Sequence, residues 1–399
     1  MVDSGLLAET PESVGIDPEK LEALFERAER EVREGLLPSV QIAVARRGRV
    51  AGLRSFGTVE RQGRTGPVTD DTLYCIFSCT KAITSAAGWL LVQAGELDLD
   101  ACVADLVPEF GTNGKEGIRV EQLFMHTAGF PQAPFRPAEF LDPEARRERF
   151  ARWRLNWEPG SRLEYHPSSS MYVIADIIER QSGQSYGEFV RERIAQPLGL
   201  RDLWCGLPDA EQPRMADLCY RGEEMTDREF EELGIPRPPV TEVTEEAVLG
   251  FNRPEVRRAG IPGGGGTTTA ADLALFYQGL LGDAAGQGAG IWKPETLEMA
   301  LQVRSGDLVD PLVGVPANRG LGVVIAGSDR AVMRGFGHTC SPQAFGHGGA
   351  GGQIGWADPA TGISLGYCTN GFDRHFVRQA RRGIGISSRA AALAQGGEA

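Results

Sequence analysis

Strand-like segments lie at the two ends of this chain, and a long helical stretch separates them. Residues 39–57 form two predicted strands around the turn Arg46-Arg47-Gly48. Glycine-punctuated strands are predicted again near the other end, at 320–327, 343–359 and 362–370. The first strands form a meander without the alternating helices of a parallel sheet. We therefore predict an antiparallel sheet that is built from both termini.

Helices are predicted beside that sheet and throughout the middle of the chain. An amphipathic helix covers 18–34, and a closing helix covers 373–395. Further helices are predicted at Thr80–Gly95, Glu121–Met125, Pro143–Trp153, Met171–Ser182, Tyr186–Ile194 and Thr267–Leu281. The predicted fold class is α/β, an antiparallel sheet flanked by helices, with a mostly helical inserted domain. Residues 1–70 plus 267–399 would form the α/β domain and 71–266 the helical domain.

One segment of the middle differs in composition from the rest. Residues 223–246 hold nine acidic residues, two basic residues and three prolines. Such a composition is typical of a solvated loop, which is the interpretation we favour. A lid that covers the substrate is the alternative.

The balance of charges excludes several classes of partner. Lys plus Arg number 41 and Asp plus Glu number 54, which gives a net charge of −13. Binding to nucleic acid or to an anionic membrane requires a basic surface instead. No apolar run reaches the roughly 18 residues of a membrane span, and residues 1–20 show no signal-peptide pattern. We expect a cytoplasmic protein and leave its oligomeric state open.

The cysteines and histidines show neither a disulfide pattern nor a metal-binding pattern. The seven cysteines are scattered and include no C-x-x-C pair. The five histidines include no H-E-x-x-H motif. We therefore expect free cysteines, no metal and no cofactor.

The sharpest local signal for chemistry is the pair Ser78 and Lys81. Residues three apart share a helix face, so the hydroxyl and the amine can meet. A serine hydroxyl needs a neighbouring base to act as a nucleophile, and a lysine serves as that base when burial lowers its pKa. The alternative is that Ser78 caps the helix and Lys81 is a surface charge. The apolar neighbours of both residues favour a buried helix.

Two further segments hold candidate residues. Tyr165 follows a turn and precedes an amphipathic helix, where a phenolate near a cation could act as a base, although an aromatic core residue is the simpler reading. Residues 345–352 form a glycine-rich strand that includes His347. Glycine in a strand often marks the close approach of a ligand or of another backbone, so this strand could supply an N–H to an oxyanion. A bulged strand with a structural histidine is the alternative.

Two other motifs resemble functional sites but lack the required context. Gly183 to Gly187 matches G-x-S-x-G around Ser185, yet a predicted helix, not a strand, precedes it. We interpret it as a junction between two helices. Pro262 to Gly266 is rich in glycine but lacks the lysine of a phosphate-binding loop.

The order of these motifs resembles the serine β-lactamase and penicillin-binding-protein superfamily, in which S-x-x-K, a tyrosine and a late glycine-rich strand follow one another. Within it, the chain most resembles class C β-lactamases and family VIII carboxylesterases. Residues 120–129, 192–203 and 263–274 are similar to further family segments, and the likeness covers nearly the whole chain.

The resemblance implies a role for each candidate. Ser78 would be the acylated nucleophile, and Lys81 and Tyr165 would share its proton. The N–H groups of Ser78 and Ala350 would form the oxyanion hole. His347 would bind substrate at the position of the lysine in the lactamase K-T-G motif. The remaining predicted substrate-binding residues are Gly348, Gly349 and His166.

The departures from the family pattern favour an esterase over a β-lactamase. Pro167 stands where the Y-x-N motif has asparagine, and His347-Gly348-Gly349 replaces K-T-G. Both changes remove groups that recognise a β-lactam, unless His347 together with a residue such as Arg374 replaces the lost lysine. We predict a serine acyl hydrolase, a carboxylesterase acting on a small-molecule ester or acyl substrate. The alternatives are an acyltransferase, a β-lactamase or D-peptidase-like amidohydrolase, and a non-catalytic binding protein.

Overall fold

The protein is described by a computed structural model that covers residues 2–234 and 244–395. A seven-stranded antiparallel sheet runs in the order β3-β2-β1-β12-β11-β10-β9. In chain order the strands are β1 Ser39–Arg46, β2 Arg49–Arg61, β3 Arg64–Pro67, β4 Tyr74–Cys75, β5 Cys219–Arg221, β6 Thr267–Thr268, β7 Val309–Asp310, β8 Val315–Pro316, β9 Val324–Ile325, β10 Phe345–Gly349, β11 Gln353–Asp358, β12 Ile363–Thr369 and β13 Gly371–Asp373.

The large sheet is assembled from both ends of the chain, as predicted. Strand β1 pairs with β12 from Val40 opposite Thr369 to Arg46 opposite Ile363. The predicted hairpin between β1 and β2 turns at Arg47 and Gly48, whose φ angles are 53° and 73°. These positive values match the primed turns that suit the twist of a two-residue hairpin. The predicted fold class is therefore confirmed.

Helices cover both faces of the sheet and fill the middle of the chain. In chain order they are α1 Pro18–Arg33, α2 Thr80–Ala94, α3 Val103–Leu106, α4 Val120–Met125, α5 Pro137–Phe140, α6 Pro143–Arg152, α7 Ser169–Ser182, α8 Tyr186–Val190, α9 Asp227–Leu233, α10 Glu245–Leu249, α11 Pro254–Ala259, α12 Ala270–Ala284, α13 Pro294–Leu301 and α14 Phe376–Ala391. Most of the long predicted helices are present within a few residues of their expected bounds. The predicted division into domains stays a prediction.

The alternation of side chains along β1 divides the core into two layers. Val40, Ile42 and Val44 belong to the apolar cluster that includes residues of α1 and α14. Ala43 and Ala45 point to the opposite face, into the cluster that includes α2, α7 and α12. Successive strand residues face opposite sides of a sheet. One strand that is buried on both faces therefore joins the two layers.

Several predicted elements differ in their bounds. The single strand expected at 343–359 is split into β10 and β11 by a tight turn, where Gly351 and Gly352 have φ angles of 78° and 94°. Only Val324–Ile325 of the strand expected at 320–327 pairs in the large sheet. Side-chain capping by Thr269 delays the helix expected from Thr267, so that α12 begins at Ala270.

The acidic segment is not a continuous loop. Asp227–Leu233 forms α9, which Thr226 and Glu229 cap reciprocally, and Glu245 opens α10. The predicted loop is therefore wrong for these residues, because capping residues give the acidic run a helical start. The part of this prediction that falls on 235–243 lies outside the described residues. Within the described residues, no helix is both long and apolar enough to cross a membrane.

A buried ion network joins the two helices that cover one face of the sheet. Arg382 of α14 donates to Glu31 of α1 at 2.6 Å and to Asp373 of β13 at 2.7 Å. All three residues are buried. Each carboxylate has a second partner, because Arg27 also pairs with Glu31 and Arg378 also pairs with Asp373. Removing Arg382 therefore takes one buried, shared cation from both acids.

We expect Arg382→Met to lower the free energy of unfolding by about 1.5–3 kcal/mol, because two buried carboxylates lose a charge-assisted hydrogen bond while each keeps its other arginine. Urea denaturation measures this change. The matched control is Arg389→Met on the same helix. Among the described residues, the exposed Arg389 guanidinium donates only to the Gly385 carbonyl, at 3.1 Å. The control should change stability by less than about 0.5 kcal/mol. Equal effects of the two variants would contradict the role given to the network.

Candidate active site

Ser78 lies in a short 3-10 turn, Phe77–Cys79, that leads directly into α2. The one-turn offset between Ser78 and Lys81 brings Lys81 Nζ to 3.1 Å from Ser78 Oγ. Ser78 is partly exposed, whereas Lys81 is fully buried. The hydroxyl is thus open to a ligand on one side and contacts a buried amine on the other.

The backbone that precedes Ser78 is held in a strained conformation. Phe77 has a φ of 43°, in the left-handed region that a bulky residue rarely adopts. Its ring packs against Phe251 and Phe372, with centroid distances of 5.1 and 5.2 Å. Strain of this kind persists only where the surrounding structure holds it. This packing therefore keeps the turn, and with it Ser78, in place.

Lys81 is surrounded by oxygen acceptors and not by a carboxylate. Its Nζ donates to the carbonyl oxygens of Pro167 and Gly263, both at 2.7 Å. Burial, and secondarily the positive charge of Arg319, hold the pKa of Lys81 well below its usual value. A neutral amine has two N–H groups, which the two carbonyls accept, and one lone pair. That lone pair is left for the proton of Ser78.

Tyr165 approaches Ser78 from another segment of the chain. Its hydroxyl donates to Ser78 Oγ at 2.8 Å, and Lys81 Nζ lies 4.9 Å from the centre of its ring. Burial raises the pKa of Tyr165 to about 12, although Ser78 and Arg319 act in the opposite direction. The expectation of a phenolate is therefore wrong for the free site, because burial outweighs the nearby cation. Tyr165 is a phenol that donates its proton.

His166 does not lie where it could contact a substrate. The side chain is fully buried, its Nε2 accepts from the Phe130 amide at 3.1 Å, and its Nδ1 contacts the Glu164 carbonyl at 2.7 Å. Both ring nitrogens are therefore occupied by the backbone. The prediction that His166 binds substrate is corrected: this residue supports the loop that carries Tyr165.

The glycine-rich strand β10 packs directly against the turn that carries Ser78. A side chain at Gly349 would place its Cβ 2.3 Å from the Ile76 carbonyl oxygen, so glycine is required there. Cys79 Sγ donates to the His347 carbonyl at 3.0 Å. Ala350 begins the turn that follows β10 and packs against the cluster around Phe77. The predicted close approach of two backbones thus brings the end of β10 against the turn that carries Ser78.

His347 is buried, and its ring nitrogens face protein atoms. Its Nδ1 lies 2.7 Å from its neighbour's carbonyl at Gly348, and its Nε2 lies 3.5 Å from Arg319 Nη1. Burial, Arg319 and Lys81 hold the pKa of His347 well below its usual value. The imidazole is therefore neutral, with its proton on Nδ1 and Nε2 facing the guanidinium. Gly348, by contrast, is exposed at the surface of the site.

Arg319 is the residue of this site that the sequence reasoning missed. Its guanidinium carbon lies 5.5 Å from the centre of the Tyr165 ring. The arginine proposed for this place, Arg374, instead pairs with Glu245 at 2.7 Å. No motif surrounds Arg319; its position just before the glycine-punctuated segment at 320–327 is the one signal in the sequence.

The two motifs that were set aside have structural roles. Ser185 caps α8 and donates to Glu188 at 2.6 Å, which confirms the junction between two helices. In the segment from Pro262 to Gly266, the Gly263 carbonyl holds Lys81. Among residues 2–234 and 244–395, no group of three or more His, Cys, Asp or Glu residues is placed to hold a metal ion.

Comparison with known proteins finds one family model that matches most of the chain. The family described as Beta-lactamase matches residues 25–386. Esterase EstB of Burkholderia gladioli is 33% identical over 239 residues, which make up 55% of this chain and 59% of EstB. This chain therefore matches less than two thirds of the length of that relative.

Two solved structures superpose over almost the whole chain. A penicillin-binding protein homologue from Caulobacter crescentus has a TM-score of 0.76 and 30% sequence identity, and the match covers 96% of this chain and 99% of that one. A family VIII carboxylesterase has a TM-score of 0.74 and 25% identity, with coverages of 94% and 99%.

The protonation state of the His347 imidazole can be measured without any substrate. Because the pKa of its imidazole is held well below the usual value, the ring should stay neutral, with its proton on Nδ1, when a free histidine is already half-charged at about pH 6.5. Nitrogen-15 NMR of the folded protein distinguishes the two tautomers and the cation. The protein unfolded in urea serves as the control, since there the same ring should titrate normally. A charged His347 at this pH would contradict the site as described.

Proposed function

Because this chain belongs to the beta-lactamase family, as its motifs predicted, we propose that it is a serine carboxylesterase that works through an acyl-enzyme on Ser78. One observation carries the proposal. Ser78 Oγ is contacted at once by the buried Lys81 amine at 3.1 Å and by the Tyr165 phenol at 2.8 Å. A hydroxyl held between a base and a proton donor is the arrangement that nucleophilic catalysis requires.

Acylation begins with Lys81 as the base. The neutral amine takes the proton of Ser78 while Oγ forms a bond to the carbonyl carbon of the ester. The carbonyl oxygen then carries the negative charge of a tetrahedral intermediate. The Pro167 and Gly263 carbonyls, each 2.7 Å from Nζ, stabilise the ammonium that results. Burial thus favours the free base by lowering its pKa, and the two carbonyls support the amine once it is charged.

The oxyanion is proposed to bind between the N–H groups of Ser78 and Ala350. The position of β10 against the turn of Ser78 supports this assignment, because Gly349 leaves no gap beside Ile76. The partly exposed Gly349 and the exposed Gly348 would border the bound acyl group. Preorganised backbone donors of this kind commonly contribute about 3–4 kcal/mol of transition-state stabilisation each.

The intermediate collapses when the bond to the alcohol breaks. Tyr165 donates its proton to the leaving alkoxide, and the proton that Lys81 holds then returns to the phenolate, which restores both groups. Water then repeats the sequence on the acyl-enzyme, which releases the acid and restores Ser78. An alcohol in place of water would give acyl transfer by the same steps.

The groups around Ser78 favour an uncharged ester over a β-lactam. His347 is neutral and faces Arg319, and Pro167 offers only its carbonyl, which Lys81 occupies. The site therefore lacks two side chains that would hold the carboxylate and the amide of a β-lactam. The esterase and the family VIII carboxylesterase among the similar proteins agree with this preference.

We also propose that the enzyme acts in the cytoplasm on a small-molecule ester. All seven cysteines are free thiols, and none is paired in a disulfide. Proteins of oxidising compartments more often pair their cysteines.

Ser78→Ala should reduce ester hydrolysis by several orders of magnitude, because the nucleophile and its base act as one unit. A fluorophosphonate probe with intact-mass detection should add one adduct to the wild-type protein and none to the variant. The matched control is Ser185→Ala, which removes the serine of the other motif and should keep both activity and labelling. An adduct on the Ser78→Ala protein would contradict the assignment.

The second prediction concerns substrate preference. We expect kcat/KM for a short-chain p-nitrophenyl ester to exceed that for a chromogenic cephalosporin. One missing charge-assisted contact costs roughly 1.5–3 kcal/mol, which is about ten- to a hundredfold in rate. Adding an alcohol to the ester assay and analysing the products measures acyl transfer beside hydrolysis. Equal turnover of the ester and the cephalosporin would show the preference to be wrong.

A further inference from the structure

We propose that Arg319, held by Asp310, is a positioning residue of this site that keeps Lys81 in its uncharged, base-competent form and fixes the orientation of His347. The inference rests on the proposed function and deepens it, because it assigns a residue outside the S-x-x-K, tyrosine and glycine-strand motifs.

Arg319 is a buried cation that is not fully neutralised. Its side chain is 8% exposed, and its Nη2 lies 3.5 Å from Asp310, a long distance for an ion pair. Its Nε is buried without a hydrogen-bond partner among the described residues. Burying a charge with incomplete pairing is costly, so a position of this kind calls for a functional reason. The guanidinium lies between the acid and the reacting residues.

Asp310 ties this cation to one small hairpin. The carboxylate belongs to β7, which pairs with β8, and its Oδ1 accepts from the Leu312 amide at 3.0 Å. Asp310 is itself buried. The hairpin thus holds the acid, and the acid holds the guanidinium beside the reacting residues.

On its other side the guanidinium faces the proposed catalytic groups. Nη1 lies 3.5 Å from His347 Nε2, which accepts from it when the imidazole proton is on Nδ1. The guanidinium carbon lies 5.5 Å from the centre of the Tyr165 ring. A permanent cation here opposes the charging of any base nearby.

Lys81 is the base on which this charge acts. Arg319 is second only to burial among the causes that lower the pKa of Lys81, and Cys79 acts weakly in the opposite direction. The titratable groups that surround the ammonium position are Cys79, His126, Tyr165, His166, His347 and Arg319. His126, His166 and His347 are held neutral by burial, and Tyr165 is a phenol. Arg319 is therefore the one permanent cation among these groups.

The sign of the effect follows from the charge of the acid form. Lys81 becomes positive when it gains a proton, so a neighbouring cation lowers its pKa and extends catalysis to lower pH. Removing Arg319 should raise that pKa and shift the acid limb of kcat/KM to higher pH by roughly one unit, the effect of one nearby charge. Activity should fall about tenfold on the acid limb and change little at alkaline pH.

The experiment compares pH profiles of kcat/KM for ester hydrolysis. Arg319→Met removes the charge and should shift the acid limb to higher pH. Arg319→Lys keeps the charge and should leave the acid limb close to its wild-type position. Asp310→Asn keeps the shape and the acceptor for Leu312 but removes the opposing charge, so it should shift the acid limb downward. The control is Arg304→Met. In the wild-type protein the Arg304 guanidinium pairs with Glu121 at 2.5 Å, so this variant should leave the pH profile unchanged.

Each possible pH profile either supports or overturns the role proposed for Arg319. An acid limb that stays in place in Arg319→Met, with activity lowered equally at every pH, would assign Arg319 a structural role and overturn the proposal. If that variant does not fold, the Asp310→Asn and Arg319→Lys profiles carry the test, and an upward shift or no shift in Asp310→Asn overturns it. Fluorophosphonate labelling of wild-type Ser78 separates the two claims, since its failure would refute the proposed function itself.

Discussion

The burial of a single lysine amine is the constraint on which the rest of this site depends. Lys81 is fully buried, and no carboxylate contacts its Nζ among the described residues. An ammonium in such surroundings is costly, so burial lowers the pKa of Lys81 and favours its neutral amine. The position is nevertheless built to receive a proton, because two carbonyl oxygens already lie 2.7 Å away. The result is a lysine whose pKa is lowered by burial and which can still become charged.

Those acceptors come from distant parts of the chain, and the sheet is what brings them together. Strand β4, just before Ser78, pairs with β6, just after the glycine segment that supplies the Gly263 carbonyl. Strand β10 lies against the turn of Ser78 on its other side, through Cys79 and Gly349. Joining β1 to β12 holds these segments in one body. The antiparallel sheet from both termini is therefore the scaffold of the site.

Charge and burial together influence the pKa values of the residues around Ser78. Burial keeps Tyr165 a phenol and keeps the neighbouring histidines neutral. Arg319, which pairs with Asp310, contributes a permanent positive charge next to these residues. In the proposed mechanism, the Ser78 hydroxyl loses a proton, the Lys81 amine takes it and the Tyr165 phenol passes a proton on. The Arg319 cation acts to lower the pKa of both Lys81 and Tyr165.

Local features of the sequence sufficed for part of this arrangement. The one-turn spacing of Ser78 and Lys81 requires only helical geometry, and the strand pattern at both ends predicted the antiparallel sheet, because side-chain periodicity is a local property. The glycines of 345–352 indicated a close backbone approach, because a residue without Cβ is needed wherever two chains nearly touch. The order of the family motifs pointed to Tyr165 as a candidate site residue.

The remaining features depend on distance in space, which no local pattern records. Arg319 reaches the site, and Arg374 does not, because of where the hairpin of β7 and β8 and the segment after β13 pack. The sequence predicts that His166 binds substrate, but in the folded protein both of its ring nitrogens contact the backbone. Proton affinities follow from burial and from charges brought close by the fold. The sequence alone therefore determined the chemistry that is available, and the tertiary structure decided which groups carry the charge.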